Sequence, residues 1–231
     1  MFLDCIAIKT HRFNNKMSST IKYGSIFKMT PEKILNFWLD ETNPKQWYEA
    51  SKELDGIILR EFYSTWVSIM DGKFGMWLTF PSGSLAYILV VDQFSRNMFR
   101  GSSKAFSSDC VALAAAKQAI THKFDLAISE PARQFFYLPL MHSESLQDQE
   151  RCIRLMNERM PADGINNLLH AKTHREVIRK FGRFPTRNEA LNRKNTALEA
   201  DFIKNREIIK KLKQNTKEMI GEIQIQNIRK R

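Results

Sequence analysis

Leu85 to Val91 is the longest apolar run in the chain, and it passes without a break into Asp92-Gln93-Phe94-Ser95-Arg96-Asn97-Met98-Phe99-Arg100-Gly101. A helix that is apolar on every side has no face to give to water and has to sit centrally. Length alone leaves a buried strand open. Helix is favoured because the run continues into polar residues and the sequence shows no partner strands. Pro81-Ser82-Gly83-Ser84 opens it, and Pro suits a first helical turn. Such a helix carries Asp92, Arg96, Asn97 and Arg100 inward at its end, and buried polar groups need partners inside the protein or on a ligand.

A second segment has the same character. Phe181-Gly182-Arg183-Phe184-Pro185-Thr186-Arg187-Asn188, with Arg193 just beyond, again interleaves Arg and Asn with Phe at the end of a helical stretch. The rest also reads as helix. Thr30-Pro31-Glu32 starts one, with Thr as N-cap and Pro in the first turn. Trp47 to Met70 reads as a longer helix ended by Asp71-Gly72-Lys73-Phe74-Gly75. Ser107 or Ser108 caps an Ala-rich helix from about Asp109 to Thr121, and Pro131 begins another through Phe135, Phe136 and Leu140. Helices follow from about Leu146 to Arg159 and from about Asn166 to Phe181. Two Thr-x-x-Glu capping boxes, Thr186 to Glu189 and Thr196 to Glu199, predict a short helix over about Arg187 to Leu191 and a long one from near Ala197. Phe202, Ile209, Leu212, Met219 and Ile223 continue that helix as a loose heptad.

The expected fold is all-α, a single domain of about eight or nine helices with basic tails. Nine Gly and seven Pro in 231 residues are few for a turn-rich all-β protein. The net charge of +11 suggests nucleic acid until it is divided along the chain. Residues 1–28 hold five Lys/Arg against one acid, and residues 203–231 hold nine against three. The body then keeps 22 bases and 21 acids, so it is nearly neutral and the basicity belongs to the ends. The expected organisation is a basic extension over 1–28, a helical domain over 29–202 and a basic helical extension over 203–231. Basic ends attract nucleic acid or anionic membranes, but solvated tails are the preferred reading.

The apolar run is far short of the ~20 residues that cross a bilayer, so no membrane span is expected. Phe2 to Ile8 makes a poor secretory signal. Lys9, Arg12, Lys16, Lys22 and Lys28 loosely resemble an organelle transit peptide; the alternative is translation from Met17 or Met29. The expected location is cytoplasmic. Cys5, Cys110 and Cys152 are odd in number and far apart, which excludes a full disulfide framework and gives no zinc-ligand spacing. Cys110 and Cys152 fall in apolar helical runs and read as small packed hydrophobes.

At the two Arg/Asn segments the chain resembles the bacterial domain-of-unknown-function family numbered 924. Matching pieces are Ile34-Leu35-Asn36-Phe37-Trp38, Trp47-Tyr48, Leu85-Ala86 with Asp92 to Asn97, Phe106-Ser107-Ser108-Asp109, Pro139 to Glu144 with Gln149-Glu150, His174, and Phe181 to Asn188 with Arg193. The resemblance covers roughly Ile34 to Phe202. It implies an all-α, tetratricopeptide-like stack and no established activity. The family usually has Pro where Ser95 stands, His where Thr186 stands and Gly where Asn192 stands. The first change would loosen a turn, and the second would remove an imidazole while completing a capping box.

Five arginines (Arg96, Arg100, Arg183, Arg187, Arg193) and two asparagines (Asn97, Asn188) would converge if the two segments met. Guanidinium suits bidentate binding of carboxylate or phosphate, so one reading is a pocket for a small anionic ligand. The structural alternative is that Asp92, Glu144, Glu150 and Glu189 neutralise these arginines internally, and it is preferred. His142 and Glu144 are the best acid–base candidates, provided that Met141 to Ser145 is a turn. The alternative there is a His bonded to a helix end or to an Arg-paired carboxylate. His170 and His174 are spaced for zinc, but Cys152 is the nearest thing to a third ligand, so no metal and no cofactor are expected. The favoured function is a scaffold that docks a peptide or protein on a concave helical face. The alternative is a small anionic-ligand-binding protein or hydrolase-type enzyme. Nucleic-acid binding through the tails ranks last.

Overall fold

The computed structural model describes residues 29–162 and 164–205, and every regular element in them is helical. The principal helices are α1 (Pro31–Leu35), α2 (Lys52–Met70), α3 (Pro81–Ile88), α4 (Ser95–Met98), α5 (Asp109–Thr121), α6 (Leu138–His142), α7 (Leu146–Arg159) and α8 (Ile165–Phe181). A further helix begins at 197 and is described to 205. The basic stretch over 1–28, with its transit-peptide and alternative-start readings, Cys5 and the heptad beyond Phe202 lie outside the described residues. Packing divides the chain into two compact units, one ending at Glu176 and the other beginning at Val177.

In the first unit the apolar run is central, as its composition requires. Leu85, Ala86 and Ile88 to Val91 are wholly buried. α3 packs against α1 and α5, and α2 packs against α4. Ala112, Ala115, Ala116 and Ala119 line the buried side of α5, and their small size allows close approach. Phe94 sits edge-on to Trp38 at 5.3 Å and beside Phe62 at 4.7 Å, while Trp47 meets Phe135 at 5.1 Å. Burying such rings is the largest apolar contribution a residue can make. Gly83 is required by packing, because a Cβ there would stand 2.4 Å from Trp77 O and 2.6 Å from the Phe80 ring.

Between α3 and α4 the helix widens into a π turn over Leu89–Phe94. Such turns shift the residues after them around the helix and recur at functional sites. Ser95 braces this one: its hydroxyl proton is shared between Val91 O at 2.9 Å and Asp92 O at 3.2 Å. The Ser that was expected to loosen a turn therefore ties it.

Several local expectations are corrected. α2 begins at Lys52, not Trp47; Pro44–Trp47 is a separate 3-10 turn, and Ser51 Oγ caps α2 by accepting from Leu54 N at 3.2 Å. Ser108 precedes α5 but does not cap it through its side chain. Its hydroxyl instead donates to Val91 O at 2.6 Å and accepts from Trp66 Nε1 at 3.2 Å. Ala132–Phe136 is a 3-10 segment ahead of α6. Cys110 is exposed, whereas Cys152 is buried.

In the second unit, Thr196 and Glu199 form the expected capping box: Thr196 N donates to Glu199 Oε2 at 2.7 Å and Glu199 N to Thr196 Oγ1 at 3.2 Å. The box expected at Thr186 does not start a helix. Pro185–Arg187 is a single 3-10 turn with Thr186 inside it. Asn192 has φ 53°, in the left-handed region. Gly is the default residue there and Asn the next best tolerated, which accounts for Asn where the resembled family usually has Gly.

Candidate functional site

A cavity of about 340 Å³ opens in the first unit. The end of the central helix supplies Gln93, Arg96, Asn97 and Arg100; the chain before α2 supplies Trp47, Tyr48 and Glu49. Leu138, Met141 and His142 come from α6, and Asn167, His170 and His174 from α8. Three of the chain's five histidines therefore line one space.

Asp92 lies behind this wall, in the π turn, with its side chain 1% exposed. His142 Nδ1 stands 2.8 Å from Asp92 Oδ1. A carboxylate can only accept, so this contact places a proton on Nδ1 and makes Nε2 the acceptor of the neutral ring. Gln93 Nε2 donates to the other Asp92 oxygen at 2.5 Å, and Arg96 Nη2 lies 3.5 Å from Oδ1 as an ion pair. Burial pushes the Asp92 carboxyl up, but the charges of His142 and Arg96 and the bonds from His142 and Gln93 outweigh it and lower it to about 2. It is a carboxylate at any ordinary pH.

The arginines of this segment are engaged by acids. Arg96 Nη1 donates to Asp109 Oδ1 at 2.9 Å and to Ala105 O at 3.2 Å. Arg100 grips Asp55 with two bonds, at 2.7 and 2.8 Å, and Asn97 Nδ2 donates to the same carboxylate at 2.8 Å. Burial raises the Asp55 carboxyl, yet Arg100 and Asn97 leave it lowered overall. Asp92 is among the acids expected to neutralise these arginines, whereas Asp55 and Asp109 are additional to them. Asp55 sits in the first turn of α2, and no local spacing links it to Arg100.

Glu150 pairs with Arg175 at 3.0 Å, an arginine outside the two segments. Glu144 is half-buried in the turn Ser143 to Ser145 between α6 and α7, and Glu189 accepts from Asn192 N through its backbone oxygen.

The second Arg/Asn segment lies in the unit beginning at Val177. Arg183 makes two bonds to Glu199, at 2.6 and 2.8 Å, and one to Lys194 O at 2.9 Å. The bond from Arg183, followed by the Thr196 backbone amide, holds the Glu199 carboxyl well below the usual range. Arg187 lies over the Phe184 ring at 4.7 Å. Buried Asn188 donates to Asn195 Oδ1 at 2.7 Å, and Arg193 Nη2 reaches Phe184 O at 3.4 Å. Glu199 was read from the sequence only as a capping residue.

His170 and His174 both line the cavity, with His174 Nδ1 2.8 Å from His170 O. Cys152 is not available to them: its thiol donates to Tyr137 O at 3.4 Å, and burial pushes it up to about 12. Among the described residues no group of three or more His, Cys, Asp or Glu is placed to hold a metal ion. A polar cluster that the sequence did not reveal closes the α8 side. Tyr48 OH donates to Gln134 Oε1 and lies 3.4 Å from Asn167 Oδ1, while Asn167 Nδ2 donates to Gln134 Oε1 at 2.8 Å. Among the described residues no helix is long and apolar enough to cross a membrane.

Comparison with known proteins places this geometry in context. A family model described as a bacterial protein of unknown function (DUF924) matches residues 34–207. A solved structure of a protein of unknown function from Agrobacterium tumefaciens is 33% identical, with a TM-score of 0.71, over 76% of this chain and 97% of that one. No curated protein matches.

Proposed function

We propose, for a chain that belongs to the DUF924 family of bacterial proteins of unknown function, that the cavity in the first unit binds a small polar molecule. One observation carries the reading: a cavity of about 340 Å³ whose wall presents an imidazole held on a buried carboxylate. Small-molecule sites are clefts of roughly this size with few, well-placed polar groups. Trp47, Leu138 and Met141 supply apolar surface; His142, His170, His174 and Tyr48 supply hydrogen-bonding groups. Recognition rests on these more than on net positive charge, because Asp55, Asp92 and Asp109 offset Arg96 and Arg100.

The same pairing favours a second reading, the peptide- or protein-binding scaffold, in which the arginines only lock helix ends. A fragment screen by amide and indole NMR separates the two. A cavity ligand shifts Trp47, Asn97, His142 and Asn167 together. Shifts spread over an outer helical face, or none from any fragment, would overturn the cavity reading.

A further inference from the structure

We propose that the cavity of the first unit takes a neutral polyhydroxylated molecule, a sugar of one or two rings. The inference rests on the binding reading above and names the ligand class. It is carried by the way two side-chain amides are held at the end of the central helix. Gln93 Nε2 donates to Asp92 Oδ2 at 2.5 Å, and Asn97 Nδ2 donates to Asp55 Oδ1 at 2.8 Å. A carboxylate only accepts, so each amide turns its nitrogen to its acid and its carbonyl oxygen away. Gln93 and Asn97 are four residues apart and both line the cavity, so they share one helical face. The wall thus offers two oriented acceptors, Gln93 Oε1 and Asn97 Oδ1, and no described residue donates to either.

Arg100 adds a donor to the same wall. It grips Asp55 through Nε and Nη2, at 2.7 and 2.8 Å, and a guanidinium held by that edge turns Nη1 away from the acid. Its charge is already met by Asp55, so it offers a hydrogen bond more than a seat for an anion. A ligand carboxylate only accepts, and it would set its oxygens against the two amide oxygens. A hydroxyl both donates and accepts. Several hydroxyls on one uncharged ligand therefore satisfy both acceptors and the donor together.

Trp47 supplies the complementary surface. Its Nε1 donates to Trp38 O at 2.9 Å, and its ring packs edge-on to Phe135 at 5.1 Å. The polar edge of the indole is thereby spent inside the protein, and what it gives the cavity is carbon. Leu138 and Met141 extend that apolar wall. A sugar ring has an apolar C–H face and a rim of hydroxyls, so one ring fits both kinds of wall. The volume of about 340 Å³ lies in the range of small-molecule clefts.

The test titrates the full chain with glucose, galactose, mannose, maltose, trehalose and sucrose. It is read by NMR of the Trp47 indole and of the Gln93 and Asn97 side-chain amides. At least one sugar should shift these signals together and saturably, and inorganic phosphate, acetate and adenine should not. Asn97→Leu removes one acceptor while Arg100 keeps Asp55 paired; it should weaken that sugar about 2–10-fold. Arg100→Lys keeps a charge opposite Asp55 but loses the fork, and should weaken the sugar by a similar factor. His122→Ala, on a ring stacked with Phe124 outside the cavity, should leave the affinity unchanged. If Asn97→Leu does not fold by circular dichroism, Arg100→Lys and the wild-type titrations decide. No saturable shift from any of these sugars, tighter binding of phosphate, acetate or adenine, or equal affinity in wild type and both variants would overturn the proposal. Other fragments that shift the cavity signals when the sugars do not would sink the sugar and leave the binding site standing; silence from sugars and fragments alike would sink both.

Discussion

The two Arg/Asn segments look alike in sequence and do different things. In Asp92 to Gly101 the acids come from other helices: Asp55 from α2 ties down Arg100 and Asp109 from α5 ties down Arg96. Asp92 is thereby left to hold an imidazole at the edge of a cavity. In Phe181 to Arg193, Arg183 bonds Glu199, Asn188 bonds Asn195 and Arg187 lies over the Phe184 ring, all in the unit beginning at Val177. Acids on other helices fix the helices against one another, and Asp92 adds an imidazole to its pair with Arg96.

Removing the centre of the first network should break the comparison most severely. Asp92→Ala leaves Arg96 and His142 facing a buried gap, and breaking a buried pair from one side costs about 3–5 kcal/mol. Urea denaturation should show that loss, and Arg183→Ala in the second segment should show a clearly smaller one.

Acid should expose the same asymmetry. The Asp92 carboxyl is lowered in the folded chain from 3.8 to about 2. A lowered carboxyl contributes stability that is complete above its unfolded value and is lost as pH falls through the folded one. Wild type should therefore lose roughly 2 kcal/mol between about pH 4 and pH 2 from this group. Asp92→Asn should flatten that part of the stability–pH curve.

Next in size is Gly83→Ala. Its Cβ would press on Trp77 O and the Phe80 ring where α3 begins, and overpacking of this kind costs about 1–3 kcal/mol. A lower thermal midpoint, with the far-ultraviolet spectrum kept, checks it. The smallest effect belongs to Asn192. Its left-handed backbone tolerates Gly, so Asn192→Gly should move stability by only a few tenths of a kcal/mol, whereas Asn192→Ala should cost about 1 kcal/mol.

The helices were legible because their determinants are local. The run from Leu85 to Val91 announces burial, Thr196 and Glu199 announce a cap, and the predicted bounds Asp109–Thr121 and Leu146–Arg159 match α5 and α7. Ser108 does not cap α5 through its side chain because a hydroxyl bonds whichever partner tertiary packing brings near, here Val91 O and Trp66 Nε1. The cavity was half legible. Arg96, Asn97, Arg100 and His142 could be named from their residue types. That Asp92 would face His142 could not, since the two are fifty residues apart and a π turn sets the direction of the carboxylate. Asp55, 45 residues from Arg100, was hidden for the same reason.

The central claim is that Asp92 fixes the state of His142. Nitrogen-15 NMR of the imidazole rings above pH 8 tests it directly, since it reads which ring nitrogen carries the proton. The account predicts that His142 is protonated at Nδ1 rather than Nε2, and that the preference is lost in Asp92→Asn. Protonation at Nε2, or a His142 ring that exchanges between both forms like a surface histidine, would contradict it.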